Sequence, residues 1–249
     1  MLKITVSASS KTGMVRDHNE DAVLVSHQVA RDSDLNTSVF LDSDERYVVA
    51  VCDGLGGQNA GEVASMDAIE QLMKRVDTLR TGLSPDHVAK LMHEWVKDEH
   101  AYLNESGIDE PSMEGMGTTL VGMLFYEGNI FWMNCGDSRL YRFRNEVLCQ
   151  ISEDHSLMQI THKPEDAHII TNCLGGGGED AFIDFNDVTN EVLEGDVFLL
   201  CSDGLTDMLT DEEIEALLLK GADASTLTDA AVQNGGLDNV SVCQITINS

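Results

Sequence analysis

Basic residues are scarce in this 249-residue chain: 15 lysines and arginines stand against 44 aspartates and glutamates, a formal net charge of −29. So acidic a surface repels nucleic acid and anionic lipid, which argues against a nucleic-acid-binding role. Proline is nearly absent, with three in all, and no Pro-, Ser- or Gly-rich stretch marks a linker, so one domain over 1–249 is expected. No apolar run reaches membrane-spanning length and the first residues lack signal-peptide character. The reading is a cytoplasmic protein without membrane insertion. The six cysteines, at 52, 135, 149, 173, 201 and 243, form no C-x-x-C pair and mostly sit in apolar runs. Reduced, buried thiols fit better than disulfides or zinc.

Common catalytic signatures are missing as well. There is no G-x-x-x-x-G-K-[ST] phosphate loop, no H-E-x-x-H and no G-x-S-x-G elbow. No cysteine has an arginine six positions on, and the eight histidines show no metal spacing, so each is read as surface or packing.

What is present is a blocked arrangement of elements. Short β-type runs cover 3–9, 22–26 and 47–52, with a polar stretch, 28–46, read as a long hairpin loop. Ile69, Leu72, Met73 and Val76 form one helical stripe, and Val88, Leu91, Met92, Trp95 and Tyr102 a second that starts at Ser84-Pro85. Strands are expected at 120–126, 130–134, 140–143 and 147–151, with a turn at Glu127-Gly128-Asn129. Strands at 181–185 and 197–201, helices at 212–219 and 225–233 and a strand at 240–247 follow. Strict β-α alternation is absent, so the expectation is α+β: antiparallel sheets with helical hairpins on their outer faces.

Apolar strands deliver an aspartate three times: Asp53-Gly54 after Tyr47–Cys52, Asp137-Ser138 after 130–136, and Asp203-Gly204 after 197–202. Asp238 precedes the last strand and Asp21 an early one. A rigid strand end holds a carboxylate at the rim of the core, and glycine after it allows a sharp turn with an accessible carbonyl. Any one D-G pair reads most simply as turn chemistry. Several carboxylates gathered at one sheet edge repel one another unless cations lie between them, and oxygen ligands suit hard divalent ions.

The motifs carrying these residues resemble the metal-dependent, type 2C protein phosphatases in their compact bacterial form, in order and over nearly the whole chain. They are Val15-Arg16-Asp17-His18-Asn19-Glu20-Asp21, Val51–Gly57 with Ala60-Gly61-Glu62, Met116–Thr119, Cys135–Arg139, Asp154-His155-Ser156, Cys201–Leu205 and Asp238–Val242. The resemblance implies a sandwich of two antiparallel β-sheets flanked by pairs of antiparallel helices, four layers αββα. It implies a protein serine/threonine phosphatase with two Mn²⁺ or Mg²⁺ per active site, and a third site in bacterial members. On that resemblance Asp53 would bridge both metals, and the Gly54 carbonyl, Asp203 and Asp238 would complete the contacts. Asp21 would act through water, and Asp137 with Asp203 would form the third site. Arg16 would grip the phosphate, and a water between cations roughly 4 Å apart would be activated for attack on phosphorus.

Two departures stand out. Gln58 replaces the histidine suggested as general acid, leaving His18 as a substitute, and the flap segment 157–172 is short. The implied partners are phosphorylated proteins, substrates of a bacterial serine/threonine kinase, and a monomer is the default. The alternatives are a weakened pseudophosphatase serving as a binding or sensing module, for which Gln58 speaks, and a calcium-binding structural protein, hinted at by Asp42-x-Asp44.

Overall fold

The run 46–52 is apolar on both faces because it is covered on both. Val48, Ala50 and Cys52 point into one apolar cluster, and Tyr47, Val49 and Val51 into another. The computed structural model describes residues 1–56 and 60–248. In its first half lie β1 (Leu2–Lys11), β2 (Ala22–Val25), β3 (Gln28–Ala30), β4 (Ser33–Leu41), β5 (Arg46–Cys52) and β6 (Gly54–Leu55). Helices α1 (Ala60–Thr78) and α2 (Pro85–Asp109) follow, then β7 (Gly117–Thr118), β8 (Leu120–Tyr126), β9 (Asn129–Cys135), β10 (Arg139–Arg144) and β11 (Val147–Gln150). The rest comprises α3 (Leu157–Thr161), β12 (Leu174–Gly175), β13 (Asp184–Asp187), β14 (Val197–Cys201), α4 (Asp203–Thr206), α5 (Asp211–Leu219), α6 (Ala224–Gln233) and β15 (Val240–Asn248).

Two six-stranded antiparallel sheets, β11-β10-β14-β15-β1-β4 and β13-β9-β8-β5-β2-β3, lie face to face. Val23, Val49, Met123, Leu200 and Ile245 are among the residues filling the space between them. Helices α1 and α2 cover the outer face of the second sheet, where Leu24, Leu124, Ile69 and Met92 pack. Helices α4, α5 and α6 cover the first, over Leu199, Val242, Ile214 and Leu227. Four layers result, αββα, as the resemblance implied. A small sheet, β12-β7-β6, lies beside them.

Local rules account for the helix ends. Ser84 accepts from the His87 amide ahead of Pro85, Thr210 and Glu213 form a reciprocal capping box, and the Asp223 side chain accepts from Thr226. The Glu127-Gly128 turn has both residues at positive φ, 47° and 82°, matching the right-handed twist of the flanking strands.

Four expectations are corrected. Residues 28–46 are no loop: β3 pairs with β2, and β4 runs along β1 as an edge strand. Its polar residues face solvent while Leu35, Val39 and Leu41 pack inward, so one-sided burial made it look too polar for the core. The strand expected at 181–185 forms at 184–187, because the Phe182 amide and carbonyl pair with the Asn172 side chain instead. Tyr102, placed on the apolar stripe, is exposed. Cys149 is exposed and Cys173 half-buried, whereas Cys52, Cys135, Cys201 and Cys243 are buried, and all six are free thiols.

Candidate metal centre

Antiparallel register gathers the aspartates. Ala22 pairs with Cys52, Val51 with Val121, Leu120 with Cys135, and Cys201 with Val242. The residue before one strand and the residue after its neighbour therefore share an end of the sheet. Asp21, Asp53 and Asp137 cluster at one sheet's edge, and Asp203 and Asp238 at the other's. A hydrogen bond joins the two sheets there: Ser202 Oγ donates to Asp21 Oδ2 at 2.8 Å.

Glycine has a different role here from the sharp turn expected of it. Neither Gly54 nor Gly204 has a left-handed φ. A Cβ on Gly54 would overlap the Gly61 and Glu20 carbonyls, and one on Gly204 the Asn239 carbonyl. These glycines let the start of α1 close onto β6 and let α4 close onto the Asp238 loop. Asp203 likewise opens the helix α4 rather than a turn, and Ser202 at its N-cap position turns its hydroxyl to Asp21 and the Ser241 amide instead of capping the helix.

The Thr118-Thr119 pair fixes Asp53. The Asp53 amide donates to Thr119 Oγ1 at 3.0 Å, while its carbonyl accepts from Thr118 Oγ1 and the Thr119 amide, each at 2.9 Å. Arg139 forks onto Asp154 at 2.7–3.0 Å beside Asp137. His155 Nδ1 accepts from the Gly136 amide at 3.1 Å, so its Nε2 carries the proton shared with Asp184. The motif Asp154-His155-Ser156 thus holds the Asp137 loop in place.

Burial, followed by the charges of Asp21, Asp203 and Asp137, pushes the Asp53 carboxyl well above its ordinary value. Burial raises Asp21 to about 7 against hydrogen bonds from Ser202 and Ser241, with Asp203 and Asp238 adding to the rise. Asp137 reaches about 7 through burial and Asp203, and Asp203 about 6 through burial, Asp207 and Asp238. Among the described residues, Asp21 Oδ1 and Asp137 Oδ1 are buried and have no hydrogen-bond partner. Orphaned anionic oxygens massed among like charges fit hard divalent cations.

Asp238 lies at the rim. Its Oδ2 accepts from Arg16 Nη2 at 2.6 Å and its Oδ1 from the Asn239 amide at 2.8 Å. The two residues assigned separately to phosphate and to metal are therefore paired with each other. His18 Nε2 meets Glu20 Oε1 at 3.3 Å, and Gln58 lies outside the described residues.

Sequence reasoning missed several residues here. Arg31, in the stretch taken for a loop, bonds the Asp21 carbonyl at 2.8 Å and Ser65 Oγ at 2.8 Å, and no sequence pattern pointed to it. His168, from the flap segment, joins Asp203 and Asp207, with one ligand atom of each lying within 4.8 Å of the others. No sequence signal marked that group: in the sequence Asp203 reads as opening a turn, and Asp207 follows four positions on, at the C-cap of α4. The segment 157–172, read as a short flap, carries α3 and is tied by a bridge from Ser156 to Ile170.

The family model for Protein phosphatase 2C matches residues 26–233. A serine/threonine phosphatase Stp of Listeria innocua is 30% identical over 251 residues, covering 95% of this chain and 93% of that protein. The serine/threonine protein phosphatase PstP of Mycobacterium tuberculosis is 34% identical over 257 residues, 97% of this chain and 44% of that protein. The crystal structure of the PstP catalytic domain in complex with two manganese ions superposes with a TM-score of 0.74 at 30% identity, each chain fully covered. A serine/threonine phosphatase of S. agalactiae shares the fold, with a TM-score of 0.79 at 24% identity and 98% and 99% coverage.

Proposed function

This chain belongs to the protein phosphatase 2C family, and from that premise we propose that it hydrolyses phosphoserine and phosphothreonine in proteins, using two divalent cations, Mn²⁺ or Mg²⁺. The observation that carries the reading is the meeting of carboxyls from both sheets, Asp21 and Asp137 buried and Asp53, Asp203 and Asp238 half-buried, with oxygens on Asp21 and Asp137 that have no partner among the described residues. When bound, the cations supply Lewis acidity, lowering the pKa of water and neutralising charge on the transferring group. Asp53, Asp203, Asp238 and the Gly54 carbonyl would hold them, with Asp21 reaching them through water. A third would draw on Asp137 and Asp203, and His168 and Asp207 are at hand to complete its set.

The residues of the chain do the positioning. Arg16 spends one Nη on Asp238 and keeps the other donors of its planar fork for phosphate oxygens. It thereby registers the phosphate against the cation-holding carboxyls. Thr118 and Thr119 keep Asp53 from moving as charge redistributes. His18 is the proposed proton donor to the leaving oxygen. A pseudophosphatase serving only as a binding module is not favoured, since it would retain the cost of like-charged buried carboxyls with no use for them. No helix among the described residues is long and apolar enough to cross a membrane, and we place the protein in the cytoplasm as a monomer, acting on products of a serine/threonine kinase.

The test is hydrolysis of a phosphothreonine peptide in Mn²⁺, Mg²⁺, Ca²⁺ and EDTA. Turnover is expected with Mn²⁺ or Mg²⁺ and none with EDTA. Metal-independent turnover, or none with any ion, overturns the reading.

A further inference from the structure

Beside Arg16 three apolar side chains stand exposed next to the acidic Asp17 and Asp238, in a chain that is strongly acidic as a whole. Met14, Val15 and Leu237 are 71%, 62% and 59% exposed. They belong to two loops laid on each other. The Met14 amide donates to the Gly236 carbonyl at 2.8 Å, and Asn239 Nδ2 donates to the Thr12 carbonyl at 2.9 Å. Gly13 sits so close to the 236 and 238 carbonyls that a Cβ would overlap them, and the Met14 side chain lies against Gly236. The backbone is therefore fixed, yet the apolar side chains it carries stay in water, where each forgoes the gain of burial. Val15 adjoins Arg16 and Leu237 adjoins Asp238, and those two are joined at 2.6 Å. The loops that carry these side chains thus also carry the proposed phosphate grip.

An extended chain advances about 3.3–3.6 Å per residue. A polypeptide whose phosphate lies on Arg16 therefore has the residues one or two positions away within reach of this rim. We propose that Met14, Val15 and Leu237 form the seat for an apolar side chain of the substrate, one or two residues from the phosphorylated serine or threonine. The protein then prefers phosphosites flanked by leucine, isoleucine, valine or methionine. This rests on the phosphatase reading and deepens it. The net charge of −29 by itself argues for basic flanks, so the two determinants make opposite forecasts.

The experiment compares three phosphothreonine peptides differing only in flanking leucine, serine or lysine, with para-nitrophenyl phosphate as a substrate too small to reach the seat. The native protein in Mn²⁺ is expected to show kcat/KM about tenfold higher for the leucine peptide than for the serine peptide, mostly through KM. That ratio should persist from low to moderate salt. In Leu237→Ser and Met14→Ser, and in the volume-keeping Met14→Gln, the ratio should fall to within about twofold of unity while para-nitrophenyl phosphate turnover holds. Equal rates for leucine and serine peptides in the native protein overturn the inference and leave the phosphatase reading intact. A lysine preference that fades with salt also overturns it. So does a native dimer by light scattering that Leu237→Ser splits, since a second copy would then be the occupant. If neither the peptides nor para-nitrophenyl phosphate is cleaved, the phosphatase reading falls and takes this inference with it.

Discussion

At Asp21 and Asp203 the demands of folding and of the proposed cation binding oppose each other. Asp21 is buried and Asp203 half-buried, and each is held above its ordinary pKa, to about 7 and about 6. A carboxyl raised on folding favours the folded state at low pH, and that contribution is lost as pH rises through the folded value. Above pH 7 and without cations, Asp21→Asn should therefore melt a few degrees higher than the native protein. Its further rise on adding Mn²⁺ should shrink, because a ligand that binds only the folded form stabilises in proportion to its affinity. Calorimetry with and without the ion decides this. Asp203→Asn should keep the fold, as judged by circular dichroism, yet lose turnover by about a thousandfold or more. In the proposed phosphate grip of Arg16 the planar fork matters more than the charge. Arg16→Lys should raise KM for a phosphopeptide nearly as much as Arg16→Ala, in steady-state kinetics at saturating Mn²⁺.

Contacts between elements set the geometry that single residues exploit. The closure of α4 onto the Asp238 loop leaves no room for a side chain at Gly204. Gly204→Ala should cost about 3 kcal/mol of stability and displace Asp203, lowering the denaturation midpoint and the Mn²⁺ response together. On the far side of the second sheet, α1 and α2 meet through Asp67 and Glu99. Burial first, and then a hydrogen bond with Asp67, lifts Glu99 to about 8. Between about 4.5, its ordinary value, and 8, the folded chain keeps a proton that the unfolded chain has shed, so stability falls as pH rises across that window. Glu99→Gln removes this slope. Its melting temperature should equal that of the native protein near pH 5 and exceed it by about 5 °C at pH 9. A variant that melts below the native protein throughout would show that the carboxyl serves another partner.

Across the whole molecule the dominant fact is like charge. At −29 the folded chain crowds anionic groups that unfolding would separate, so screening should stabilise it. Raising NaCl from about 10 to 150 mM is expected to lift the metal-free melting temperature by a few degrees. The lift should be smaller with Mn²⁺ present, where bound cations already offset part of the repulsion. Differential scanning fluorimetry at constant pH measures both. A melting temperature indifferent to salt would mean that the acids are spaced widely enough to ignore one another.

The amino-acid sequence by itself determined the strand cores, both helical pairs and the order of the acidic motifs, because hydrophobic periodicity and strand-end position are local signals. The segment 197–201 was legible to the residue, since a strand buried on both faces leaves little choice. Strand β4 was not read. Its inward residues Leu35, Thr37, Val39 and Leu41 alternate in the sequence, but the polar residues between them face water at a sheet edge, and composition hid the period. Only the tertiary structure decided which distant groups meet: Ser202 on Asp21, Arg16 on Asp238, Arg31 on the Asp21 carbonyl, and His168 beside Asp203 and Asp207. Such pairings depend on the register between strands and on the packing of one sheet against the other. A linear chain carries these only as the sum of many weak preferences, with no mark at the residues that finally touch.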